Sequence, residues 1–151
     1  PRVAQLTQKT NQFNLTTIRY TEQEINVLRQ SEESDILTLK ADDKYGAYGL
    51  IGVAILRYKG KVLEIDSFLL SCRAIGRGLE EVLFGACINQ GKKKGMKTVI
   101  GSFSRTKKNA QVEHFYENHS FNLETQRSSE KTYICDIDNV DIKSPAHIEV
   151  L

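Results

Sequence analysis

The stretch LLSCRAIGRGLEEVLF, Leu69 to Phe84, joins two periodicities that one element cannot share. Ahead of it, the apolar residues of VLEIDSFLL alternate and then run together as in a strand. Behind it, Leu79, Val82, Leu83, Ala86 and Cys87 recur at three and four residues, which is one face of a helix. Between them Gly76-x-Gly78 strips side chains from the turn, so its backbone N–H groups can be approached closely. A chain with this junction must feed a strand directly into a helix. Unpaired amides and the positive end of the helix dipole then point outward together, so the glycines either serve packing alone or hold an anion.

That strand closes a series. NLTTIRY, Asn14 to Tyr20, is β-branched and alternating and predicts a strand. Thr21 and Glu24 follow at capping-box spacing, ahead of an amphipathic helix to about Ser31. DILTLKADDKYG, YGLIGVAILRYKG and VLEIDSFLLSCR are apolar and β-branched, with breaks at Gly46 and Gly60, which predicts a three-stranded antiparallel meander. A helix from about Gly76 to Gln90 leads to the buried-type strand KTVIGSFS. NAQVEHFYENHSF predicts a second helix with Ala110, Val112, Phe115 and Tyr116 on its apolar side, and NLETQRSSEKTYICDID two strands around a polar turn. Pro1 and Pro145 are the only prolines, which leaves the sheet uninterrupted.

A chain of 151 residues, 40% hydrophobic, is long enough for one domain with a real core. A formal net charge of only +2 argues against a general nucleic-acid binder. Cys72, Cys87 and Cys135 are odd in number and lack metal-ligand spacing, so they read as reduced thiols of a cytoplasmic protein. His114, His119 and His147 show neither metal nor triad spacing, so no metal is expected. No stretch approaches the ~20 apolar residues of a membrane span, and no signal peptide is evident, so no membrane partner is expected. Glu81 stands where a dinucleotide fingerprint needs glycine, and no Gly-Lys-Ser/Thr occurs, which argues against dehydrogenase and kinase readings. Because the sequence starts at Pro1, residues 1–13 are expected as a linker from an upstream domain and 14–151 as the domain itself.

Arg73-Ala-Ile-Gly76-Arg-Gly78 resembles the Arg/Gln-x-x-Gly-x-Gly/Ala signature of the GNAT acyltransferases, placed after a strand and opening a helix. NAQVEHFYENHSF resembles that family's second motif, an Asn, a helix bearing Phe-Tyr and a turn to a Phe. More narrowly, QLTQKTNQFNLTTIRYTEQEI and IDSFLLSCRAIGRGLE resemble the C-terminal domain of FkbH-like proteins. There a HAD-type domain precedes it, and the whole is associated with loading a glyceryl unit onto an acyl carrier protein. The resemblance implies an α+β, GNAT-like fold: a mixed, mostly antiparallel sheet of six to seven strands flanked by helices. It also implies a splay between the strand ending near Ser71 and the strand Lys97–Ser104.

The implied substrate is a phosphopantetheine thioester, either acetyl-CoA or an acyl carrier protein. The amides of Ile75, Gly76, Arg77, Gly78 and Leu79 would hold its phosphate, with charge from Arg73 and Arg77. The edge of Phe68, Leu69, Leu70 and Ser71 would pair with the pantetheine amides like a strand, and Asn109 would lie beside the cofactor. Tyr116 matches the family's acid for the leaving thiolate, although beside Phe115 it fits a core position equally well. The departure is Ser71-Cys72, where these enzymes often have a proline.

For the base, Glu64 and Asp66 lie two apart on the strand and so on one face. An amide near Leu69 or Leu70 would stabilise the oxyanion. Cys72 beside Arg73 permits a covalent thioester instead. Lys92, Lys93, Lys94 and Lys97, with Arg105, Lys107 and Lys108, form a basic excess expected near the ribose-phosphate end. It equally suits an acidic carrier protein or a solvated face. Two functions stay open: an acyltransferase, or a non-catalytic module that docks a carrier protein to a HAD-type partner domain.

Overall fold

The computed structural model describes residues 2–10, 12–43, 46–71 and 78–142, the side chains of 41–43 and 46–48 excepted. The elements are α1 (Arg2–Lys9), β1 (Phe13–Asn14), α2 (Glu22–Gln30), β2 (Ser34–Asp43), β3 (Gly46–Lys59), β4 (Val62–Leu70), α3 (Leu79–Lys93), β5 (Thr98–Ser104), β6 (Asn122–Arg127) and β7 (Glu130–Asp136). They build an α+β fold around a mixed seven-stranded sheet of order β2-β3-β4-β5-β7-β6, with β1 paired to β4 off this path. The meander β2-β3-β4 is antiparallel as its glycine-broken runs indicate, and Gly60 makes the β3–β4 turn with φ +60°. β4 and β5 are parallel.

Each face of the sheet is covered. On one side α3 lays Leu83, Phe84, Cys87 and Ile88 against Leu63, Ile65, Phe68 and Val99. On the other, α1 and α2 pack Ala4, Leu6, Ile25 and Leu28 against Val53, Ile55 and Leu69. Within the stretch expected as a linker, Arg2–Lys9 form α1 and Phe13 begins β1, and Ala4 and Leu6 find a sheet face to bury. The capping box of α2 is present: the Glu24 amide donates to Thr21 Oγ1 at 3.2 Å, and the Thr21 amide to Glu24 Oε1 at 3.0 Å.

A bulge in β4 sets where the sheet parts. Ile55 faces Ser67 and Leu56 faces Ile65, so Asp66 is an extra residue without a partner on β3. It shifts the strand's phase, so that Leu63, Ile65, Phe68 and Leu70 all reach the α3-side core, which strict alternation forbids. Pairing of β4 with β5 stops one residue earlier, at Ile65 opposite Gly101. The added twist of the bulge turns β4 aside there, while β5 runs on to Ser104 beside β7.

The anticipated splay exists, and the chain fills it. Phe13 pairs with Leu70 and Asn14 with Leu69. The Leu15 amide donates to the Phe68 carbonyl at 3.2 Å, and the Leu15 carbonyl accepts from the Ser104 amide at 2.7 Å. The strand expected over 14–20 shrinks to these residues because Thr17, at φ 57°, turns the chain out of the sheet. The helix expected over 109–121 is instead two 3-10 turns, Ala110–Val112 and Glu117–His119. His119 Nδ1 lies 2.7 Å from the Phe115 carbonyl, the acceptor an α-helix would give the 119 amide, and that amide bonds Tyr116 at 3.0 Å instead. α3 begins at Leu79 rather than near Gly76, and ends at Lys93.

Candidate functional site at the open end of the sheet

α3 follows β4 in the chain. Its N-cap, Gly78, is left-handed at φ 76° and offers no side-chain cap, which leaves first-turn amides without that partner. That turn carries Glu80 and Glu81, whose charge complements the dipole but opposes an incoming anion. Glu81 is met by His119, whose Nε2 lies 2.9 Å from both carboxylate oxygens. With the other nitrogen on the Phe115 carbonyl, both ring nitrogens lie within hydrogen-bond distance of oxygen atoms. This buried pair joins helix start to 3-10 turn and was invisible in the sequence, where its members stand far apart.

Beyond the end of β5, Arg105, Thr106, Lys107, Ala110 and Ser129 line a shallow depression of about 450 Å³. Arg105, Lys107 and Lys108 thus follow the C-terminal end of β5. Lys92, Lys93, Lys94 and Lys97 precede its start, roughly 20 Å away along a seven-residue strand. The single basic excess expected from the sequence is divided by β5, and only one half stands at the splay.

The candidate ligand-binding residues fall into four groups. Arg73, Ile75, Gly76 and Arg77 lie outside the described residues, as does Cys72. Phe68, Leu69 and Leu70 are fully buried; Phe68 and Leu70 present their outer edge to Leu15 and Phe13, and the Ser71 amide donates inward to Ile51 at 2.7 Å. Gly78 and Leu79 open α3. Asn109 is fully buried: its Nδ2 donates to the carbonyls of Asn14 at 2.9 Å and Ser104 at 2.8 Å, and its Oδ1 accepts from the Thr106 amide at 2.7 Å. It therefore fastens β1 to the end of β5.

Glu64 and Asp66 share the face toward α1 and α2, where Arg57 stands opposite Glu64. Asp66 accepts from Tyr20 Oη at 2.5 Å, Arg57 Nε at 3.0 Å and Ser67 Oγ at 3.0 Å, so its carboxylate is fully engaged. Burial, then the hydrogen bond to Asp66, pushes the Tyr20 phenol up to about 12. Glu64 is one-third exposed and 3.4 Å from Lys59.

Tyr116 occupies the opposite face, within the α3-side core. Its ring covers Gly101, where an added Cβ would lie 2.7 Å from Cε2 and closer still to Cζ and Cε1. Phe84, Phe115, Phe121 and Tyr133 fence it at centroid distances of 5.1 to 6.1 Å. The phenol has no hydrogen-bond partner among the described residues, and burial holds its pKa well above the ordinary value. The sheet thus separates Tyr116 from the two carboxylates. Among the described residues no cluster of three metal-ligating side chains occurs, and Cys87 and Cys135 are free and buried.

No family model matches the sequence, and no curated protein does. Solved structures match closely in shape. The ribosomal-protein-S18-alanine N-acetyltransferase of Escherichia coli superposes with a TM-score of 0.68 over 99% of this chain and 92% of its own, at 15% identity. A GNAT-family acetyltransferase of Staphylococcus aureus gives 0.60 over 76% and 75%, at 11% identity. The fold is that of the GNAT acetyltransferases. The PaiA N-acetyltransferase of Thermoplasma acidophilum, solved in complex with coenzyme A, gives 0.56 over 78% and 80%, at 20% identity. At these identities the likeness is one of fold. Among the described residues no helix is long and apolar enough to cross a membrane.

Proposed function

We propose that this GNAT-fold domain takes up the phosphopantetheine arm of an acyl thioester at the open end of its sheet and transfers the acyl group to an acceptor. The observation that carries the reading is the parting of β4 from β5 at the Asp66 bulge, with the N-terminus of α3 following the end of β4 and lacking a side-chain cap. The amides from Ile75 to Leu79 would hold the phosphate, with His119 holding the Glu81 side chain in that turn. Arg105 and Lys107, past the end of β5, add positive charge. The outer edge of Phe68 and Leu70 offers the backbone groups an extended amide arm would use.

In transfer, the acceptor loses a proton to a carboxylate and attacks the thioester carbonyl. The Leu70 amide would stabilise the tetrahedral oxyanion, and the departing thiolate takes a proton. Glu64 is the better base, because Asp66 already accepts three hydrogen bonds. The role of Tyr116 as acid rests on the motif, and its phenol must be reached through the aromatic fence. Acetyl-CoA fits the fold's relatives; the carrier-protein form rests on the sequence resemblance alone. Calorimetry with acetyl-CoA and CoA, followed by a free-thiol assay with an amine acceptor, tests this. Binding with thiol release supports it, and absence of binding removes it.

A second reading, a non-catalytic module docking an acyl carrier protein beside a HAD-type domain, is favoured by one observation: the sheet keeps Tyr116 apart from Glu64 and Asp66. Carrier-protein binding with no thiol released would select it.

A further inference from the structure

We propose that Phe13–Thr16 is a strap that occupies, in cis, the slot of the thioester's amide arm, so that the arm enters only when the strap lifts; this rests on the pantetheine reading above. Leu15 does what an extended amide ligand would do: it donates to β4 at Phe68 and accepts from β5 at Ser104, stitching both lips of the splay. Phe13 and Asn14 continue the pairing along Leu70 and Leu69. Two chains cannot hold the same backbone groups, so strap and arm exclude each other. Asn109 clasps the strap through the Asn14 carbonyl, and Thr16 Oγ1 donates to the Asp66 carbonyl at 3.0 Å, at the bulge.

The segment is built to move as a unit. Asn14 closes it into a local loop, with Nδ2 donating to the Thr10 carbonyl at 3.1 Å and Oδ1 accepting from the Thr17 amide at 2.9 Å. Thr17, at φ 57°, ends it. The helices on either side, α1 and α2, are anchored through Ala4, Leu6, Ile25 and Leu28 on the other face of the sheet, so lifting the strap leaves their packing intact. Phe13 and Leu15, buried on the α3 side, hold it closed. The apparent affinity for the arm is then the intrinsic affinity reduced by the small open fraction.

The test uses the 151-residue chain, CoA as the probe, and the variants Leu15→Ala and Asn14→Ala, checked for folding by circular dichroism. Loosening the strap raises the open fraction, so the folded variants should bind CoA about tenfold more tightly or better. In the wild type, saturating CoA should speed hydrogen exchange at the Leu15 amide, which the lifted strap frees from Phe68, while the Ser104 amide passes to the arm and stays protected. Wild-type binding with the Leu15 amide still protected, or equal affinity in the variants, overturns the strap and leaves the pantetheine reading standing. If no folded protein binds CoA, loosened or not, both fall. Should the variants fail to fold, exchange on the wild-type chain with bound CoA decides alone.

Discussion

Replacing Tyr116 with phenylalanine should stabilise this protein, the reverse of what loss of a core tyrosine hydroxyl ordinarily does. The phenol is sealed within an aromatic cage and has no partner among the described residues. An unpaired buried hydroxyl costs about 1–3 kcal/mol of desolvation, and nothing is recovered from a hydrogen bond. Tyr116→Phe removes that cost and leaves the ring on Gly101, so the expected gain is about 1–2 kcal/mol. For 151 residues that is a rise in Tm of about 2–8 °C. Urea unfolding monitored by circular dichroism should show a higher midpoint at unchanged slope. Thiol release measured in parallel separates the roles: if the phenol is the reaction's acid, turnover falls by ~10²–10⁴ while stability rises. A loss of 1 kcal/mol or more would refute the reasoning, because it would mean that the hydroxyl is bonded in the native state.

Gly101→Ala should cost about 1–3 kcal/mol or more, since the fenced Tyr116 ring cannot swing away from a new Cβ; in a double mutant with Tyr116→Ala, the cost of the alanine should largely vanish, as read from unfolding midpoints. His119→Leu should destabilise by about 1–3 kcal/mol and speed amide exchange at 117–120, because it removes the links to Glu81 and to the Phe115 carbonyl. Alkaline pH should destabilise the fold: Tyr20, Tyr58, Tyr116 and Tyr133 are all held above the ordinary value of 10.0, chiefly by burial. The folded chain keeps protons that the unfolded chain releases, so the tyrosines' contribution to stability is constant below pH 10 and falls as pH rises, through about 12 for Tyr20. Urea midpoints across that range should fall less steeply for Tyr20→Phe.

Local signals in the sequence were read well because they act locally. Thr21 and Glu24 announce a helix start through bonds three residues apart, and Gly60 announces a hairpin through its own φ. The parting of β4 from β5 was legible through the family resemblance, but the segment that fills it was not. β1 is two residues long, and its worth lies in bonds to Leu69, Leu70 and Ser104, far along the chain. The second-motif helix failed for a similar reason: a histidine side chain replaces a backbone amide at the Phe115 carbonyl, and its partner Glu81 lies on another element. Asp66 defeated simple alternation by being a bulge.

That extra residue makes β4 a strand with a spacer. Take Asp66 out, and Leu63, Ile65, Phe68 and Leu70 still fall on one face by plain alternation, so the hydrophobic layer beneath α3 has no need of it. Deletion would therefore be tolerated by the core and felt elsewhere: β4 would run straight, its pairing with β5 could extend past Gly101, and Tyr20 and Arg57 would lose the carboxylate on which they converge. A single inserted residue separates the register of the layer beneath α3 from the spacing of the sheet's open end, so that spacing can be altered at this position while the α3-side layer keeps its alternation.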